Sequence, residues 1–167
     1  MIDFQDEILS LRNQGLIKGS RPLFVDIIDS SSDVKGKYLI TIDKDRLLFY
    51  QLKRNYRLMS RNPDNFYLLL DAFTGFHYAY YKEFFKRISF NLKEEGFIKF
   101  LFPIGTEASF GNQENADYLM KFLKENNIKE QNEIRSDNLG RKKIKKTDQF
   151  FVKEIRSPQK RKGLFKR

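Results

Sequence analysis

A chain of 167 residues with 40% hydrophobic and 15% aromatic residues can bury one ordinary core, and it is too short for two domains of usual size. It holds no cysteine, which excludes a disulfide framework, a thiolate zinc site and a cysteine nucleophile together. The formal net charge of +10 is unevenly placed: residues 141–167 carry 12 Lys and Arg against 2 Asp and Glu, so residues 1–140 are electrically balanced.

Residues 3–14 (DFQDEILSLRNQ) set Phe4, Ile8 and Leu11 near helical spacing with Gly15 just past the end, which predicts a short amphipathic helix. The acidic start differs from the basic-then-apolar plan of a secretory signal. Apolar runs such as residues 66–70 fall far short of the about 20 residues that a membrane-spanning helix needs, so a soluble, cytoplasmic protein is expected. Residues 23–28 (LFVDII), after Pro22, read as a first strand, and Ser30-Ser31-Ser32-Asp33 as a polar loop.

Residues 37–52 (KYLITIDKDRLLFYQL) give the clearest local signal, two strands joined by a tight polar turn. Tyr38, Ile40 and Ile42 share one face of the first strand, and Leu48, Tyr50 and Leu52 share one face of the second. Asp43-Lys44-Asp45 between them predicts a turn of the three-to-five-residue class.

Further on, Asn62 as N-cap, Pro63 at the first helical position and Asp64 in the first turn predict a helix start. Phe66, Leu69, Leu70 and Phe73 continue it at i, i+3, i+4 and i+7, giving a helix from about 63 to 73 and then a strand. The aromatic run FHYAYY supports a competing pattern, two strands turning at Thr74-Gly75.

Residues 88–102 (ISFNLKEEGFIKFLF) predict a second hairpin, in which Ile88, Phe90 and Leu92 alternate with Ser89 and Asn91 and Gly96 supplies positive φ in a four-residue turn. After a short strand near 108–110, Ala116, Leu119, Met120 and Leu123 form the apolar stripe of a helix. Glu114 and Asp117 suit its early part, and Lys121 and Lys124 its later part. From Lys129 onward apolar residues survive only as islands, which predicts an extension that is disordered without a partner.

Three stretches, YLITIDKDRLLFY, YYKEFFKRISFNLKEEGFIKFLF and ASFGNQENADYLMKFLKEN, resemble the bacterial pleckstrin-homology-like domains, including the GRAM-like and YokE-like groups, over roughly residues 20–127. The resemblance implies an α+β, mainly β fold. It would be a small, strongly bent antiparallel β-barrel or sandwich closed by a C-terminal amphipathic helix, here with a short N-terminal helix and a basic tail. Residues 1–128 are then the domain and 129–167 the extension. The family's domains are generally binding or scaffolding modules, and some relatives bind phosphoinositides. The first hairpin turn here is more acidic than basic, so phosphoinositide binding is not carried over.

Individual side chains add little chemistry of their own. His77, the single histidine, lies in an apolar run without a nucleophile or orienting partner close in sequence, and reads as a structural histidine. Turn formation already accounts for Asp43 and Asp45, ahead of metal binding. Pro63-Asp64 with Asp71 resembles the start of a nuclease carboxylate motif, but Phe73 stands where its lysine belongs.

Charge is the stronger guide. Arg141, Lys142, Lys143, Lys145 and Lys146, then Lys160, Arg161, Lys162, Lys166 and Arg167, form a polyanion-binding candidate, with Phe150, Phe151 and Phe165 as aromatic contacts. Lys53, Arg54, Arg57 and Arg61, interleaved with Tyr56, form a secondary anion contact. The expected function is a non-catalytic adaptor that binds nucleic acid, RNA or DNA, through its tail and a protein partner through its body, with no cofactor, metal or small-molecule substrate. The alternatives are a peripheral protein whose tail contacts an anionic membrane surface, and a component that docks on an acidic protein assembly.

Overall fold

The computed structural model describes residues 4–32, 34–59, 63–82, 85–104 and 112–132, and both hairpins read from the sequence form in it. In chain order the elements are α1 (Phe4–Asn13), β1 (Ser20–Ser30), β2 (Gly36–Asp43), β3 (Arg46–Gln51), β4 (Phe66–Leu69), β5 (Phe73–Lys82), β6 (Phe85–Leu92), β7 (Gly96–Pro103) and α2 (Asn112–Glu125). The seven strands make one antiparallel sheet in the order β4-β3-β2-β1-β7-β6-β5.

The two edge strands of that sheet are joined in sequence by only the 3-10 turn Leu70–Ala72. Four steps of extended chain reach about 14 Å at most. A flat sheet of seven strands would hold its edges about 29 Å apart. The sheet must therefore curl until β4 and β5 approach each other, and the result is a strongly bent half-barrel.

Turn chemistry corrects the sequence reading in two places. Asp43 pairs with Arg46, so the β2–β3 loop has only two residues, with Lys44 at φ 60°. The Arg46 guanidinium closes it, 2.8 Å from the Asp43 carboxylate. In the β6–β7 hairpin Leu92 pairs with Gly96, and the positive φ angles belong to Glu94 and Glu95 (59° and 63°) while Gly96 sits at −74°. What Gly96 supplies is closeness, because a Cβ there would lie 3.3 Å from the Leu92 Cβ and 3.4 Å from the Ser31 Oγ.

The helix expected from about 63 to 73 does not form. Phe66 and Leu68 point into the core as alternate residues of β4, Leu69 is exposed, and the chain turns at Leu70–Ala72 rather than at Thr74-Gly75. Asp64 follows the strand pattern too: its N–H donates to the Gln51 Oε1 at 2.6 Å instead of opening a helix. The strand expected near 108–110 lies outside the described residues.

Each face of the curled sheet has its own apolar layer. The inner layer takes Tyr38, Ile40, Phe49, Phe66, Phe76, Ile88, Phe90, Phe100 and Phe102, together with Ala116, Leu119, Met120 and Leu123 from α2. Phe49 stacks on Phe66 at 4.4 Å, and Phe90 meets Phe73 and Phe100 edge-on at 4.9 and 5.1 Å. The outer layer covers β1–β3, with Tyr67 of β4 at its margin, and there Phe24, Leu39, Leu48 and Tyr50 pack against Ile8, Ile17 and Leu52. Burial on both faces explains why β2 and β3 read as nearly continuous apolar runs, whereas a strand with one wet face alternates.

Two buried asparagines fasten α2 to this sheet. The β1–β7 register would set Phe24 opposite Pro103, which has no N–H to give. The Asn112 side chain takes that place: its Oδ1 accepts the Phe24 N–H at 3.0 Å, and its Nδ2 donates to the Phe24 carbonyl at 3.0 Å and to the Pro103 carbonyl at 3.3 Å. Asn115 Nδ2 donates to the Pro22 carbonyl at 2.7 Å. At the far end Asn127 is left-handed (φ 66°), the Ile128 N–H bonds back to the Leu123 carbonyl, and Ile128 is buried beside Leu123.

Replacing Asn112 by Ala strands a buried N–H and C=O and should lower the unfolding free energy by about 2–3 kcal/mol in urea titrations. Asn126→Ala, which loses an exposed bond, should stay within about 0.5 kcal/mol of the parent. Tyr38 supports a pH test. Its hydroxyl donates to the Asp64 carbonyl at 3.1 Å; burial first, and the Asp64 charge second, raise its pKa well above the ordinary 10.0. The folded state thus keeps a proton that the unfolded chain releases, so this group's contribution to stability is constant below pH 10 and is lost as pH rises above it. Tyr38→Phe should flatten that alkaline decline, whose slope from this group is at most about 1.4 kcal/mol per pH unit.

Candidate interaction surface

The descent from α2 ends on an edge strand. After Ile128, residues 129–131 run parallel to β5, where the Phe76 N–H donates to the Lys129 carbonyl at 3.1 Å and the Gln131 N–H donates to the Phe76 carbonyl at 2.8 Å. The chain then crosses to the outer face. There the buried Asn91 of β6 donates its Nδ2 to the Gln131 Oε1 at 2.8 Å and to the Asn132 carbonyl at 2.9 Å. Gly75 makes the crossing possible, because a Cβ at that position would collide with the Gln131 side chain.

The first four residues of the expected extension are thus pinned to the sheet, and whatever follows Asn132 starts from a fixed point beside β5. Gln131 gives no periodic signal in the sequence. A buried asparagine in β6 facing outward was the available hint, since such a group requires partners.

Alongside β5 lies a groove of about 520 Å³ lined by Tyr78, Asp117, Met120, Lys121, Lys124 and Glu125. Tyr78 is held by its hydroxyl, which accepts from the Gln113 Nε2 at 3.2 Å, and its ring packs edge-on against Phe102. The Lys86 ammonium sits 5.1 Å from the centre of that ring. A smaller hollow of about 340 Å³ opens at the half-barrel's mouth between Asp45, Leu69, Leu70, Asp71 and Asn126.

Three of the four secondary cations fall on one tight turn. The Lys53 N–H donates to the Arg57 carbonyl at 2.7 Å, the Tyr56 N–H donates to the Lys53 carbonyl at 2.9 Å, and a Leu52–Leu58 bridge closes the base. Tyr56, at φ 67°, turns its ring down onto Phe24 at 5.8 Å, and Lys37 lies 4.5 Å from the ring centre. With the tyrosine as anchor, Lys53, Arg54 and Arg57 stand exposed together. Arg61 lies outside the described residues.

The main polyanion candidates, Arg141, Lys142, Lys143, Lys145, Lys146, Lys160, Arg161, Lys162, Lys166 and Arg167, and the aromatic candidates Phe150, Phe151 and Phe165 also lie outside them. His77 is half-buried on β5 and pairs across the ladder with Ser89. Asp43 is committed to Arg46, and the Asp45 carbonyl accepts the Leu70 N–H at 2.9 Å, so both aspartates serve the turn and the mouth of the half-barrel. Among the described residues no group of three or more His, Asp or Glu is placed to hold a metal ion, and no helix is long and apolar enough to cross a membrane.

Gly75→Ala should push the Gln131 side chain away from Asn91 and loosen residues 129–132 while leaving the core intact. Amide hydrogen exchange at Gln131 should quicken by about tenfold, with the urea midpoint moving little. Equal exchange in variant and parent would contradict the contact. No protein-family model matches the chain, and no curated protein matches it.

Proposed function

We propose that this chain is a non-catalytic binding protein of pleckstrin-homology-like build, whose basic extension grips nucleic acid, RNA or DNA, while the folded body engages a protein partner. The observation that carries the reading is the partition of charge. All of the net +10 resides in residues 141–167, joined to a body of net zero. Such a segment binds polyanions by releasing condensed counterions, a term that grows with each phosphate neutralised. The curled sheet with its closing helix is compatible with the expected build, and the pinning of residues 129–132 gives the extension a fixed origin on the body. The turn bearing Lys53, Arg54 and Arg57 would add a second, rigid anion contact.

A side-by-side titration of residues 1–167 and 1–140 with RNA, duplex DNA and anionic vesicles, each at two salt concentrations, tests this. The shorter chain keeps every described residue, the bridge at Phe76 included. The full chain should bind nucleic acid with about micromolar Kd at low salt and a log-log salt slope near about −5, the value for some six phosphates. The shorter chain should lose most of that affinity. Binding to vesicles alone would replace this reading by a membrane one, and equal binding by both chains would remove the extension from the function.

A further inference from the structure

The edge of β5 is only partly used. Phe76 turns both its N–H and its C=O away from β6, toward residues 129–131. In an antiparallel ladder the outward-turned residues recur every second position, so the backbone groups of Tyr78 and Tyr80, which pair with Ile88 and Lys86 in the same phase, face the same open side. Among the described residues nothing bonds to them there: Gln131 is the last to bond the edge, at Phe76, and the Asn132 carbonyl already turns to Asn91. An open strand edge beside a groove is a place where an extended segment can add main-chain hydrogen bonds and settle side chains.

We infer that the occupant is a strand from the chain's own extension, residues 150–155 (FFVKEI). Three facts select it. Asn132, the last described residue, lies next to this edge, and the 17 residues between it and Phe150 reach about 56 Å when extended, far more than the path requires. Phe150, Phe151 and Val152 form the longest apolar run after Asn132, and with Ile155 they are aromatic or β-branched, the types that suit a pleated, half-buried position. The groove offers the apolar surfaces of Tyr78 and Met120 between charges of both signs, Asp117 and Glu125 against Lys121 and Lys124, which matches a segment carrying Lys153 and Glu154.

Docking would hold the two basic runs, residues 141–146 and 160–167, on either side of one strand, so that a polyanion meets a fixed pair of cationic arms. That functional meaning rests on the reading above; the docking itself does not. It also reassigns one of Phe150 and Phe151, which a strand turns to opposite faces, from base stacking to the groove.

The test is amide hydrogen exchange on the full chain. Tyr78 and Tyr80 should be protected in the parent. Val152→Pro removes a strand N–H without adding charge, and should raise exchange at both residues by about tenfold, while Phe76, bonded to Lys129, keeps its rate. Lys142→Glu with Lys143→Glu should leave the exchange unchanged and weaken binding to an RNA oligonucleotide, so failure of the docking and failure of the polyanion reading give different results. Identical exchange at Tyr78 and Tyr80 in the parent and in Val152→Pro overturns the inference. Protection that rises with protein concentration overturns it as well, by assigning the strand to a second copy.

Discussion

One side-chain amide sets the relation between helix and sheet. Where β7 reaches Pro103 it can no longer donate to β1, and Asn112 supplies the missing peptide-like edge, accepting from and donating to the same residue, Phe24. A primary amide is the side chain that can copy a peptide unit in this way, with an acceptor and donors in one plane. Because Asn112 is the first residue of α2, this bond fixes where the helix begins, and the apolar stripe from Ala116 to Leu123 then has one direction in which to lie. The other end follows from the same placement: Ile128 tucks in beside Leu123, and residues 129–131 arrive at β5.

The second constraint is the short link between β4 and β5. Three residues join strands at opposite ends of the hydrogen-bonding order, so curvature is enforced by chain length as well as by sheet twist. A sheet bent this far encloses a narrow interior, and phenylalanine fills it: six of the largest fully buried side chains, Phe49, Phe66, Phe76, Phe90, Phe100 and Phe102, belong to the inner layer. The outer layer solves a separate problem. Without α1 and the turn at Tyr56, the outward apolar faces of β1–β3 would meet water.

What the sequence disclosed and what it concealed divide along sequence distance. The hairpins around residues 37–52 and 88–102 and the stripe of α2 are local patterns, and each forms where its period says. The stretch 63–73 misleads because its signals are ambiguous at short range: Asn62-Pro63-Asp64 suits a helix start, and Phe66, Leu69, Leu70 and Phe73 happen to match helical spacing. Tertiary pairing with Phe49 and Leu48 decides for a strand instead. The placement of Gly96 failed for a different reason, since two glutamates accept left-handed geometry and the glycine instead sits closely against Leu92 and against Ser31, 65 positions away in the chain. The site was the least legible part. Asn112 meets Phe24 across 88 positions and Asn91 meets Gln131 across 40, and no periodicity links such residues.

Asn132 joins the folded body to the cationic segment in sequence. A segment with 12 cations would be a weak and indiscriminate binder if it trailed freely from an arbitrary point, because each orientation it adopts against a polyanion costs chain entropy. Fastening its root to Phe76 and Asn91 removes part of that freedom before any partner arrives. The neutrality of residues 1–140 matters for the same reason, since a body of either sign would attract or repel the polyanion over its whole surface and blur where contact is made. On the proposed reading, then, the globule adds one charged contact, the turn bearing Lys53, Arg54 and Arg57, and otherwise contributes to polyanion binding through position. The residues that do so are uncharged: Gly75 by leaving space, Asn91 and Gln131 by hydrogen bonding, and Asn112 by holding the helix that brings the chain there.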